Sequence, residues 1–175
     1  MRLEEVKKTI NKFKETVISE AKKNLKTKNK NVSGRLSNSL KAKLSQTETG
    51  LLLRFFATEY GYFVDRGVKG TKSTYPEIRK YGTEAKFGSG TGAKGGLTTG
   101  IKNWVRKRRF QFRETKTGRF LSYETTASFI TRSMWLKGLK PSLFFTEPLE
   151  IEYKKLINEV GDSFIVEIDK TINKK

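Results

Sequence analysis

Leu3, Val6, Ile10, Phe13, Val17, Ala21 and Leu25 recur at steps of three or four with lysine and glutamate between them. That spacing predicts a long amphipathic helix with one apolar stripe, which must lie on something. The period is lost over Lys22–Lys30, where fraying into a basic linker is expected. Ser33 then stands where it can cap a shorter helix, SGRLSNSLKAKL, in which Leu36, Leu40 and Leu44 stack at intervals of four. Two extended runs, 43–48 and 51–57, flank Glu48-Thr49-Gly50 and predict a β-hairpin. Its second strand is apolar on both faces and is therefore expected to be central, covered on both sides.

After that strand the chain turns a corner. Thr58 is placed to cap a short helix by its hydroxyl, Tyr60, Phe63 and Val64 share one helical face, and Gly67 suits the left-handed residue that ends one. From Val68 to Gly100 the apolar period disappears, and GSGTGAKGGLTTG (88–100) has the composition of a flexible loop that finds its shape against a partner. A helix is expected from Thr99, with Ile101, Trp104 and Val105 inward and Lys102, Arg106, Lys107 and Arg109 outward. FQFRETKTGRFLSY predicts a hairpin that sets Phe110 and Phe112 against Phe120, with a loop as the alternative. Ser122 caps a helix through Tyr123, Ala127, Ile130 and Met134 that is closed by Gly138, Leu139 and Pro141. A final helix starts near Thr146, with Pro148 in its first turn, and runs through Leu149, Tyr153, Leu156, Val160, Phe164, Ile168 and Ile172. Gly161 admits a kink, and SFIVEI (163–168) admits an edge strand instead.

Composition narrows the function. The 175 residues suit one domain with one core, 1–175, and contain neither cysteine nor histidine, which removes disulfides, thiolate metal sites and the commonest general base. No apolar run reaches the ~18 residues of a membrane span, and the amphipathic start is unlike a signal peptide, so a soluble chain made in the cytoplasm and without membrane contact is expected. Net charge is +19 and uneven: 15 basic against 3 acidic residues between Arg66 and Arg119, but 5 against 7 between Glu147 and Lys175. A polyanion or an acidic partner is the natural complement of that central region. Scattered solubilising lysines are the plain alternative.

Each candidate motif has a rival explanation. Gly90-Thr91-Gly92-Ala93-Lys94-Gly95 fits G-x-G-x-x-G, but no hydrophobic strand precedes it, so it reads as a flexible loop and not a nucleotide cradle. The run Trp104–Arg113 is the best binding candidate, with Lys102, Arg106, Lys107, Arg108, Arg109 and Arg113 facing phosphate or a protein partner. Its aromatics are expected to be core, since the spacing around Trp104 already accounts for burial. Glu4-Glu5 and Asp65 near Glu59 read as helix-face charges and caps. Tyr60, Tyr62 and Phe63 suit either core packing or an interface anchor. No cofactor, metal or catalytic set is expected.

Three segments taken together resemble the neck and tail-completion proteins of tailed bacteriophages. The first is Ser33–Leu40, with Gly34, Arg35, Leu36 and Ser39; the second is Ala57–Gly67, with Tyr60, Phe63, Val64 and Gly67; the third is Lys140–Leu149, with Pro141, Phe144 and Pro148. The chain departs from the pattern over 68–138, a much larger insertion, and in the leucine after Pro148. The resemblance implies an α+β fold with long N- and C-terminal helices packed on a small antiparallel sheet, and the segment 68–138 as a basic, partly flexible insertion. It also implies a homo-oligomeric ring in the virion, contacts with portal, tail or other neck proteins and with packaged double-stranded DNA, and no catalysis. The alternative from another class is a free-standing, sequence-nonspecific nucleic-acid-binding protein.

Overall fold

The computed structural model describes residues 4–30, 33–72, 74–81, 83–88 and 96–172. Leu3, the G-x-G-x-x-G run and the side chains of Phe164, Ile168 and Ile172 lie outside the described residues. The fold is α+β, and it divides into two compact units, residues 1–61 with 143–175 and residues 62–142.

In the first unit, helix α1 (Glu4–Thr27) and helix α7 (Thr146–Ile172) pack on each other, and α1 also lies on the hairpin of β1 (Lys41–Thr47) and β2 (Gly50–Phe56). The stripe expected from the sequence is the face that packs: Val6, Phe13, Val17, Ala21 and Leu25 are buried. Phe13, Phe55 and Phe145 stack edge to face, at 6.3 and 5.2 Å between ring centres, and join helix, strand and the approach to α7. The end of α1 is a Schellman motif with Asn29 left-handed (φ 53°), its N–H donating to Lys26 O and the Lys30 N–H to Leu25 O. α7 runs through Gly161 and through 163–168, so the edge-strand alternative fails.

Two expectations are corrected in this unit. The second helix, α2, spans only Arg35–Ser39 and begins at left-handed Gly34, with Ser33 accepting from the Arg35 N–H at a long 3.5 Å. Leu40 turns extended, and Leu44 belongs to β1, paired with Leu53. The Ser39 hydroxyl explains the stop: it donates to Leu36 O at 2.8 Å and accepts from the Thr58 N–H at 3.1 Å, a local alternative to helix continuation. The sheet has two strands, so β2 is not central. Leu52 and Phe56 on its outer face are 37% and 49% exposed.

The second unit holds α3 from Tyr62 onward (α3, Tyr60–Arg66, starts two residues earlier), β3 (Val68–Lys69), α4 (Pro76–Tyr81), α5 (Gly96–Arg108), α6 (Tyr123–Lys137) and β4 (Gly138–Leu139). The apolar period lapses over 68–88, yet its described residues include buried ones: Ile78 and Thr83 are fully buried, and Lys69 bonds Ala85 O and the Phe87 N–H through its backbone, both at 2.9 Å. The short ladder of β3 with β4 is antiparallel and framed by two glycines. A Cβ on Gly67 (φ 83°) would sit 2.5 Å from Leu139 O, and one on Gly138 (φ 94°) 2.3 Å from Val68 O. Gly138 has ψ −178°, which is the glycine-only extended region and not the left-handed helical position at which a glycine commonly closes a helix. The Ser142 N–H and hydroxyl then close the unit on Val64 O, at 3.1 and 2.7 Å.

Candidate polyanion-binding surface

The basic surface is built on α5 and α6, which pack together. α5 begins at Gly96, three residues ahead of expectation, and buries Val105 completely while Ile101 and Trp104 are half-buried. α6 begins as the sequence indicates: Ser122 accepts from the Thr125 N–H at 3.0 Å. That cap places Glu124 in the first helical turn, where two of the six expected cations meet it. Arg106 donates to its carboxylate, and Lys102 lies 3.5 Å away. Its own backbone N–H first, and the Arg106 guanidinium second, hold the Glu124 carboxyl below its ordinary value. Lys102 and Arg106 thus also serve α5–α6 packing.

A carboxyl with a depressed folded value stabilises fully above its unfolded value and loses that contribution as pH falls through the folded one. Glu77, held down by its own backbone N–H and then by Lys140, acts in the same direction within the same unit. The second unit is therefore expected to weaken on acidification below the ordinary glutamate value of 4.5. Glu124→Gln should flatten that part of the acid limb, and a pH series of denaturant melts measures it.

Lys107, Arg108 and Arg109 are exposed at the end of α5. The helix closes in a Schellman motif, with the Arg109 N–H on Arg106 O at 3.1 Å and the Phe110 N–H on Val105 O at 3.0 Å. Its left-handed residue is Arg109, φ 52°, where glycine would be easier. An arginine in that position costs about 1 kcal/mol, so Arg109→Gly is expected to raise stability by about that much while removing one cation. A rise in the denaturant midpoint with weaker polyanion binding would show strain held at a working position.

Beyond α5 the chain makes an irregular hairpin. Gln111 Nε2 donates to Leu121 O at 2.7 Å, the Leu121 N–H to Phe112 O at 2.8 Å and the Glu114 N–H to Arg119 O at 2.9 Å. The cross-chain pair is Arg113 with Phe120, not the phenylalanines with each other, and the Arg113 guanidinium lies 4.4 Å from the Phe120 ring centre. Phe110 and Phe112 are not core: they are 40% and 38% exposed, stacked edge to face at 5.2 Å, and Phe110 approaches Trp104 at 6.1 Å. The spacing around Trp104 did account for a buried face, but Val105 fills it. The result is a pinned excursion with stacked rings and the cations Arg113, Lys116 and Arg119. Lys107, Arg109, Lys116 and Arg119 make no ion pair among the described residues. Such a surface offers charge to phosphate and ring faces to unstacked bases.

The resemblance-bearing residues lie in two sets. In the first unit, Gly34 (φ 77°) and exposed Arg35 open α2, Leu36, Phe144 and Pro148 are buried, and Ser39 holds Thr58. The Thr58 carbonyl, and not its hydroxyl, receives the Gly61 N–H at 2.8 Å at the start of α3. In the second unit, Val64 and Pro141 are half-buried beside Gly67. Tyr60, Tyr62 and Phe63 are 40%, 49% and 40% exposed, which argues against core packing. Among the described residues, no three carboxylates gather as a metal site and no helix is long and apolar enough to cross a membrane. Neither a protein-family model, nor a curated protein, nor a solved structure matches the chain.

Proposed function

We propose that this chain is a structural protomer of the neck of a tailed bacteriophage: a non-enzymatic ring protein of the virion that joins portal and head to tail and seals or lines the DNA channel. It is made in the host cytoplasm and works without a cofactor. The observation that carries the proposal is the structural use made of the three family-like segments. Ser39 of the first segment holds Thr58 of the second at 3.1 Å, and Ser142 of the third holds Val64 of the second at 2.7 Å, across 78 residues of sequence. The three segments thus take part in tying distant parts of the sequence together within each unit, which supports reading them as one structural set.

In a ring, many copies of a +19 chain repel one another unless negative charge lies nearby. Packaged DNA or acidic neighbours facing Lys107–Arg119 supply it. Gold-labelled antibody on purified virions tests the role: label at the head–tail joint supports it, and label nowhere on the particle overturns it. The second reading, a free-standing nucleic-acid-binding protein, draws on the exposed rings beside Arg113. Tight binding of single-stranded DNA by a monomer, falling steeply with salt, would favour it.

A further inference from the structure

The first unit carries two uncovered faces of opposite character. Strand alternation and the pairs Lys41↔Phe56, Lys43↔Arg54 and Ser45↔Leu52 place three cations and two apolar side chains together on the outer face of the hairpin. Lys41, Lys43, Leu52, Arg54 and Phe56 are all exposed. On α7 the half-buried line Glu152, Leu156 and Val160 belongs to the packed side, but Ile151, Ile157 and Ile165 are 51%, 59% and 60% exposed on the other side. Exposed Glu150, Lys154 and Asp162 sit among those isoleucines, two acidic residues to one basic. A helix that is apolar on both sides is built for partners on both sides. None of Lys41, Lys43, Arg54, Glu150 and Asp162 makes an ion pair among the described residues. The charge division agrees: residues 147–175 carry 5 basic and 7 acidic residues, −2, within a chain of +19.

From this complementarity we infer that a second copy of this chain occupies each face: the outer hairpin face of one copy docks on the outer face of α7 in the next. Leu52 and Phe56 meet the exposed isoleucines, while Lys41, Lys43 and Arg54 meet Glu150 and Asp162. Because the two faces differ, the contact is head to tail and repeats from copy to copy, the kind of contact that builds the ring proposed above when its rotation closes. Both faces belong to the same compact unit, so the contact needs no particular placement of the second unit. It rests on the ring proposed above and names the surfaces that build it. It also places the acidic segment of each copy against cations of its neighbour, which lowers the repulsion within a ring.

The test is a charge swap read by light scattering behind size exclusion. Lys43→Glu with Arg54→Glu, or Glu150→Lys with Asp162→Lys, is expected to weaken self-association by at least about 100-fold, and the four changes together are expected to restore it. Restoration separates a broken contact from a broken fold. The chain has no cysteine, so Leu52→Cys with Ile157→Cys gives an independent measurement: oxidation should produce a ladder of cross-linked multiples. If both charge-reversed pairs assemble like the wild type and the cysteine pair stays uncross-linked, this interface is wrong while the ring survives. If the wild type never assembles, both fall.

Discussion

Gly138→Ala is expected to destabilise the second unit by about 3 kcal/mol or more, placing it among the severe single substitutions. Two costs combine. At φ 94° and ψ −178° an alanine occupies a region that is essentially reserved for glycine. Its Cβ would also stand 2.3 Å from Val68 O and 2.8 Å from the Gly70 nitrogen, backbone atoms that cannot swing aside as a side chain would. Escape means opening the β3–β4 ladder, which is only two pairs long. Both tryptophans, Trp104 and Trp135, lie in this unit, so a denaturant melt followed by tryptophan fluorescence reports on it selectively. Gly100→Ala is the control: it is a helical glycine with nothing within 4 Å of the added Cβ, and should gain up to about 1 kcal/mol. Equal midpoints for Gly138→Ala and wild type would show that the close approach is not there.

The largest functional effect is expected from reversing Lys107, Arg108 and Arg109 together to glutamate. Lys107, Arg108 and Arg109 lie at and just past the end of α5, outside the Glu124 cluster that holds Lys102 and Arg106, and a denaturant melt of the triple variant controls for its fold. If all three meet phosphate, the slope of log affinity against log salt should fall by about 3, and affinity at low salt by about 100-fold or more. Titration of DNA at several salt concentrations measures both. Arg106→Glu should behave differently, since it sets a carboxylate against Glu124 and is expected to lower the melting midpoint too. An unchanged salt slope in the triple variant would move the polyanion site elsewhere, with Arg113, Lys116 and Arg119 next in line.

Long, strongly periodic elements were legible in the sequence. α1 and α7 announce themselves by apolar steps of three and four, α6 by the serine that caps it, and the hairpin by Thr49-Gly50 between extended runs. What escaped notice was held by few residues each. α4 is six residues with one apolar anchor, Ile78, and β3 and β4 have two residues each, too short for any period. The spacing of Leu36, Leu40 and Leu44 predicts a longer α2 than forms, because the Ser39 hydroxyl and the pairing of Leu44 with Leu53 favour a stop. In the basic surface the cations were legible, but the division of labour among them was not. That Glu124 would claim Lys102 and Arg106 depends on how α5 meets α6. The apolar spacing around Trp104 predicts core positions for Phe110 and Phe112, but Val105 fills the buried face and a left-handed Arg109 turns the chain away.

Native mass spectrometry of the purified chain bears most directly on the central claim, that this is a non-catalytic protomer built to join copies of itself around DNA. One closed multiple of the 20.1 kDa chain is expected at near-neutral pH and moderate salt, with DNA raising its yield. A monomer at every concentration, with and without DNA, would contradict it.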